Sequence, residues 1–392
     1  MAIVGSVQLR ARPRPLPPSP PEGEEILPAK TYAGFIIHKV EVSRSMENTS
    51  SLLNLTSSSG WRTAGVRTGL YIFIMVIVTA AMVGNCLVVL AVFYFKQLRS
   101  ATNAFVLSLA IADFLVGIMV MPYSMVRTIE GCWHFGSTFC RIHSSLDVMF
   151  CTASILHLSC IALDRYYAVC DPLMYHCKMS PGKVVILLFA CWMVPAAISF
   201  IPIMMQLHRL GVDPDLLTKS SCVLMVNPTY AVCASLIAFY LPMFIMLAAY
   251  WKIYKVARKQ AIQIDAVDNQ IQESASGLVR AHAHKQSMKQ EKKAAKTLGI
   301  IIGAFLVFWL PFFTANIIDP FLGYKTDRVT WEVLVWLGYS NSSMNPFLYA
   351  FFNRSFRRAF LIIIGCKICV PRSLQNFDLS DSKRDVAQES VH

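Results

Sequence analysis

Two charges, eighteen residues apart in a mainly apolar run, carry the most chemistry in this sequence. Asp147 is the only acid from about Phe139 to Leu163, and Arg165 follows it in Asp164-Arg165-Tyr166. Eighteen residues make five helical turns, so on one helix the two share a face and stand roughly 27 Å apart along the axis. Such a run is long enough to cross a bilayer. A carboxylate in mid-membrane is costly and marks a functional site by default. The layout suits a device that binds a cation on one side of a membrane and reports on the other.

The rest of the chain has to hold that helix. Of 392 residues, 55% are hydrophobic and only 15% charged, against about 25% charged in soluble domains. Seven apolar runs reach about 20 residues, enough to span. Their approximate limits are 69–94, 103–126, 138–168, 184–205, 229–257, 293–318 and 330–352. The expected fold class is therefore an all-α membrane protein, a seven-transmembrane helix bundle. Lys96 and Arg99 follow the first run, and His176, Lys178 and Lys183 follow the third. After the fifth, ten Lys or Arg stand against four acids between Lys252 and Lys296. The other connections mix signs. This asymmetry places the amino terminus outside and the carboxyl terminus in the cytosol of a multi-pass plasma-membrane protein. It also turns the net charge of +13 away from nucleic acid as a partner.

Residues 1–68 read as an extracellular, largely disordered tail, with Pro and Glu dense over 11–30. Sequons at Asn48 and Asn54 fit an outside location. Those at Asn341 and Asn353 fall in or below the membrane and should be silent. Met46 competes with Met1 as the native start. Residues 353–366 read as an amphipathic juxtamembrane helix on the inner leaflet, and 367–392 as a cytoplasmic tail. Cys366 and Cys369 are either palmitoylation sites or plain cytosolic thiols. Cys86, Cys151, Cys160, Cys191 and Cys233 read as small buried hydrophobes. Cys140 and Cys222 differ, because each sits at an outer edge where the environment is oxidising.

Several further polar residues lie inside the apolar runs. Asp113 is either a structural contact or a cation or proton site; Ser154, Asn341, Ser342 and Asn345 supply oxygens on other runs, of the kind hard cations take. No cofactor is expected, and the one inorganic guest these oxygens would suit is a hard cation. Arg165 either snorkels to the headgroups or pairs with Asp164 or Glu291, and an Arg165–Glu291 pair that forms and breaks would be a bistable switch. Pro242, Pro311 and Pro346 interrupt the last three runs and favour kinks. Around Pro311 lie Phe308, Trp309, Phe312 and Phe313, which are either core packing or a cage for an organic ammonium.

These motifs together resemble the rhodopsin-like (class A) G-protein-coupled receptors. The resemblance rests on Gly84-Asn85, Leu109-Ala-Ile-Ala-Asp113, Asp164-Arg165-Tyr166, Trp192, Phe308-Trp309-Leu310-Pro311 and Asn345-Pro346-Phe347-Leu348-Tyr349, in that order over about residues 69–366. Asp147 matches the amine-binding aspartate of aminergic receptors, and Tyr339 the tyrosine that supports it. The resemblance implies further ligand contacts at Val148, Cys151, Leu224, Ala234, Ser235, Ala238, Asn316 and Trp336. It implies a disulfide between Cys140 and Cys222, a switch through Pro311, Tyr250 and Tyr349, and Leu173 as a G-protein contact. A stimulatory G protein and cyclic AMP, arrestin and receptor kinases are the implied partners, beside the bilayer and a small amine ligand.

Two subfamilies compete. Met121-Pro-Tyr-Ser-Met-Val-Arg127 and Cys132-Trp-His-Phe-Gly136 resemble trace amine-associated receptors. Residues 345–361, the fifth run and Asn316 look more like serotonin type-4 receptors. The expectation leans to a divergent trace-amine-type receptor. Of the ligand-facing positions expected on the fifth run, Ala234, Ser235 and Ala238, only Ser235 offers a hydroxyl, so catecholamines should act weakly. Nothing in the motifs suggests an enzyme. An amine transporter is the rival class, and its mark, an internal repeat of spans, is not found.

Overall fold

The computed structural model describes residues 64–213, 222–272, 300 and 302–365. Asn48, Asn54, Met46, Glu291, Cys366 and Cys369 lie outside them. The chain divides into two units at Val66. Of Met1–Val66 only the start of one helix is described, and all that follows concerns Arg67–His392.

Among the described residues the structure is helical with no strand. Six helices are long and apolar enough to cross a membrane: Ala64–Tyr94, Ala101–Glu130, Gly136–Cys170, Pro181–Met204, Pro228–Lys259 and Ile302–Phe321. These are the first six spans. The seventh, Arg328–Phe352, has 25 residues but is less apolar, because it carries Asn341, Ser342, Ser343 and Asn345. All four are buried, so its polarity faces the bundle and not the surroundings. A shorter helix, Arg354–Ile364, follows it. There Phe356, Ala359 and Phe360 pack against Val88 and Val92 of the first span, while Leu361 and Ile364 stay exposed. Arg354 and Arg357 are exposed as well.

Helix ends follow local chemistry. Ser100 accepts a bond from the Asn103 N–H at 3.2 Å, Asn227 from Tyr230 at 2.8 Å and Asp327 from Thr330 at 3.0 Å, each satisfying an orphan donor of the first turn. The third span is tied to the loop before the fifth by a Cys140–Cys222 disulfide, with Cα atoms 5.8 Å apart. Cys151 and Cys191 are buried as expected, but Cys86 and Cys233 are exposed. They lie on helix faces that turn away from the bundle, a choice that uniformly apolar runs do not reveal.

Two π turns interrupt the spans, at Val116–Val120 and Leu236–Tyr240. Each comes just before a proline, Pro122 or Pro242, whose missing N–H breaks the regular ladder. The turns re-aim the residues above and below them, including the two helix faces that meet the site described next. At Gly338 on the seventh span, an added Cβ would lie 2.7 Å from Trp309 Cζ3. The glycine is a cradle for the indole. Gly338→Ala should therefore destabilise by about 1–3 kcal/mol through overpacking, read as a lower melting temperature in detergent. Trp309→Phe, which removes the crowding atoms, should recover most of that loss. A double variant no more stable than Gly338→Ala alone would refute the account.

Candidate ligand-binding site and switch

Asp147 stands on the third span and reaches Tyr339 of the seventh, whose neighbour Gly338 meets Trp309 of the sixth. Its Oδ2 accepts the Tyr339 hydroxyl at 2.7 Å and its Oδ1 the Cys151 thiol at 3.4 Å. Tyr339 is 2% exposed and Asp147 half-buried. One carboxylate thus has a fixed orientation and two light donors, with acceptor capacity left for a third. No cation of the chain pairs with it among the described residues.

Aromatic rings lie on one side. Trp309 and Phe312 meet edge to face with centroids 6.3 Å apart, and Phe312 and Phe313 at 5.2 Å. Phe313 is stacked on Phe239 of the fifth span at 4.7 Å. Phe313 and Phe239 therefore have a core-packing role, whereas Phe312 remains half-buried. Ala238 is buried, and Ala234, Val148 and Leu224 are half-buried. Ser235 departs from expectation. It is fully buried, and its Oγ accepts the Asn316 amide at 3.0 Å. The hydroxyl read as facing a ligand is already engaged, and the two predicted contacts bind each other.

A polar roof lies one turn further along the second and seventh spans. Glu332 accepts the Thr128 hydroxyl at 2.6 Å and lies 3.6 Å from Arg127. Trp336 donates its indole N–H to Thr128 at 3.0 Å, and Arg127 donates to the Cys222 carbonyl at 3.4 Å. The disulfide loop is thereby bound to the roof. Sequence reasoning missed Arg127, Thr128 and Glu332; the signal of Arg127 and Glu332 is charge near span ends, which membrane proteins show widely, and Thr128 carries none.

A second polar site lies deeper. Asp113, fully buried, accepts from Ser342 Oγ at 2.7 Å and from Asn345 Nδ2 at 2.7 Å. Ser154 faces the same carboxylate, yet its hydroxyl finds no partner of normal geometry, and neither does Asn341 Nδ2. Asp113, Ser154, Ser342 and Asn345 are thus brought together, with Asn341 buried one turn before Asn345 on the seventh span.

At the Arg165 end, the expected Asp164–Arg165 pair is absent among the described residues. Asp164 instead accepts from Thr102 and, at 2.8 Å, from Tyr175. Burial pushes the Tyr175 pKa up, which keeps it a donor. Arg165, exposed, lines a cavity of about 290 Å³ together with Tyr250, Tyr349, Asn345 and Phe305. Of the predicted switch residues, Arg165, Tyr250 and Tyr349 share this space; Asp164 and Pro311 do not line it, and Glu291 lies outside the described residues. Leu173 is 94% exposed on the short turn Pro172–Met174.

Known proteins resemble this chain in sequence. The profile of the 7 transmembrane receptor (rhodopsin family) matches residues 84–349. The human 5-hydroxytryptamine receptor 4 is 44% identical over 325 residues, 80% of this chain and 83% of that receptor. Trace amine-associated receptor 1 of Macaca mulatta is 41% identical over 322 residues, 81% and 94% of the two chains, and trace amine-associated receptor 2 of Rattus norvegicus is 40% identical over 311, 78% and 88%. With a profile spanning most of the chain, and relatives at this identity over four-fifths of it, the protein belongs to the rhodopsin family of seven-transmembrane receptors.

Proposed function

We propose that this receptor binds a protonated amine at Asp147 from the extracellular side and signals through a stimulatory G protein to raise cyclic AMP. The observation that carries the reading is the Asp147 carboxylate, held by Tyr339 and Cys151 and in no ion pair among the described residues. Opposite charges favour each other's charged form, so an ammonium and this carboxylate suit one another. Phe312 and Trp309 offer ring faces to its substituents.

The polar inventory narrows the ligand. With Ser235 fully buried and accepting from Asn316, the fifth span presents no exposed hydroxyl at the ligand-facing positions, and a catechol would leave its hydroxyls unpaired, at about 1–3 kcal/mol per group. Aryl-alkyl amines, aliphatic amines and an indole amine fit better. Serotonin is the second specific reading, favoured by the 44% identity to a 5-hydroxytryptamine receptor. The Cys132-Trp-His-Phe-Gly136 segment favours the trace-amine reading. Cyclic AMP in transfected cells, measured against serotonin, tyramine, phenylethylamine, histamine, cadaverine and dopamine, decides between them. Dopamine should be among the weakest. Silence to every amine, with receptor at the surface, would refute the proposal.

In the mechanism, bound amine bears on Trp309, which Gly338 cradles, and the sixth span yields at Pro311. Its far end moves, and Tyr250 and Tyr349 rearrange around Arg165. A ligand drives this only through its differential affinity for the two states.

A sodium ion fits the Asp113 cluster on its chemistry. The acid and the unpartnered Ser154 hydroxyl are hard oxygen donors of the kind the ion takes. Asp113, Ser154, Asn341, Ser342 and Asn345 would hold it and bias the spans toward the resting state. By linkage, sodium should then lower agonist potency, on the order of fivefold. Asp113→Asn should remove the sodium dependence; a potency that still tracks sodium in that variant would refute the site.

A further inference from the structure

Asp147 lies at the end of a hydrogen-bonded chain whose earlier members, Ser124 and His143, have no part in the site as described above. Tyr339 Oη is 3.1 Å from Ser124 Oγ, which is 3.4 Å from His143 Nε2. His143 Nε2 also lies 3.1 Å from the Val120 carbonyl. Ser124 is fully buried and His143 1% exposed. Val120 and Ser124 are one turn apart on the second span, and His143 and Asp147 one turn apart on the third, so each pair shares a face. The π turn that ends at Val120 sits where the two faces meet.

Chemistry fixes the direction of every proton in this chain. An ionised Asp147 only accepts, so Tyr339 donates to it. The Tyr339 oxygen is then free to accept, and Ser124 supplies the proton. The Val120 carbonyl only accepts, so His143 carries its proton on Nε2, where it is also shared with Ser124. The neutral ring then has a lone pair on Nδ1, and Nδ1 is the atom with no partner, set among the rings of Trp133 and Tyr123. Three independent constraints give one direction, from His143 through Ser124 and Tyr339 to Asp147.

We infer that Ser124 and His143 are positioning residues for amine capture, holding the Tyr339 hydroxyl so that its proton points at Asp147 and the carboxylate keeps one orientation. Chains of donors polarise one another, so each link strengthens the next. This inference rests on the amine reading above and adds the residues that aim its anchor.

The test needs no cognate ligand, because Cys151 lies 3.4 Å from Asp147 and reports on it. The full-length receptor is treated with aminoethyl methanethiosulfonate, a small cation, or with neutral methyl methanethiosulfonate. In each case the Cys151 thiolate attacks the sulfenyl sulfur, a mixed disulfide forms and methanesulfinate leaves. Mass spectrometry gives the labelling rate of the Cys151 peptide, normalised to exposed Cys177. The cationic-to-neutral ratio should exceed one in the wild type. It should fall about three- to tenfold in Ser124→Ala and in His143→Phe, the size of one lost hydrogen bond. His143→Gln, which restores an N–H near the Nε2 position, should recover it, and Ser124→Ala should add nothing in a Tyr339→Phe background.

A wild-type ratio in Ser124→Ala would overturn the inference. So would an equal fall with and without the Tyr339 hydroxyl. A ratio of one in the wild type would overturn the amine anchor itself, and this inference with it.

Discussion

Replacing Asp147 with asparagine lowers the potency of the activating amine by about 30-fold to several thousand-fold, at equal surface expression. The amide has the shape of the carboxylate and keeps an oxygen for the Tyr339 proton, so the fold stands and only the charge goes. An ammonium brought into this site then lies buried and unpaired, at a cost of about 2–5 kcal/mol, which converts to that range of affinity. The magnitudes rank the site. Cation–π contact is worth roughly 0.5–2 kcal/mol, so Phe312→Leu should cost less than Asp147→Asn. Tyr339→Phe removes one hydrogen bond to a charged group, about 1.5–3 kcal/mol, and should fall between them. Cyclic AMP dose–response curves on the three variants test the order. An Asp147→Asn potency within threefold of wild type would mean that the ammonium is held elsewhere.

The sequence shows the spans and the anchor for the same physical reason. A membrane forbids unpaired charge, so a lone acid in an apolar run is conspicuous, and Asp147 and Asp113 stand out at once. What surrounds them is less visible. Ser235 and Asn316 were each read as ligand contacts, and their mutual bond depends on how the fifth and sixth spans face each other. Asp164 was given Arg165 because they are neighbours, yet its partners are Thr102 and Tyr175, which only packing brings near. His143 carries a signal that was legible, a titratable residue one turn from Asp147 on the same face. Its role depends on Ser124, an ordinary serine until the second span is set beside the seventh. The seventh span is less apolar for a related reason: Ser342 and Asn345 bond to Asp113, and Asn341 and Ser343 are buried beside them.

Leu173→Ala separates binding from signalling. The side chain is 94% exposed, so it contributes almost nothing to the receptor's own stability, and exposed large hydrophobics of this kind mark interaction sites when they are not scattered singly. Met174 beside it is also exposed, at 51%. The turn that carries both is fixed from below, because Tyr175 donates to buried Asp164 and Lys178 is bonded to Asp171 at 2.8 Å. A rigid turn presenting an apolar tip loses little entropy on docking, which is what a hot spot requires. Burying one leucine in a partner's groove is worth about 1.5–3 kcal/mol, so the alanine variant should couple to its G protein about 10- to 100-fold less effectively. Amine affinity in the uncoupled receptor and the melting temperature in detergent should stay at wild-type values, since neither involves the tip. Nucleotide exchange on the purified G protein, measured beside amine binding, reads the two apart. Should both fall together, Leu173 supports the receptor's own structure; should exchange persist, the partner docks on another surface, and the cavity beside Arg165 is where to look for it.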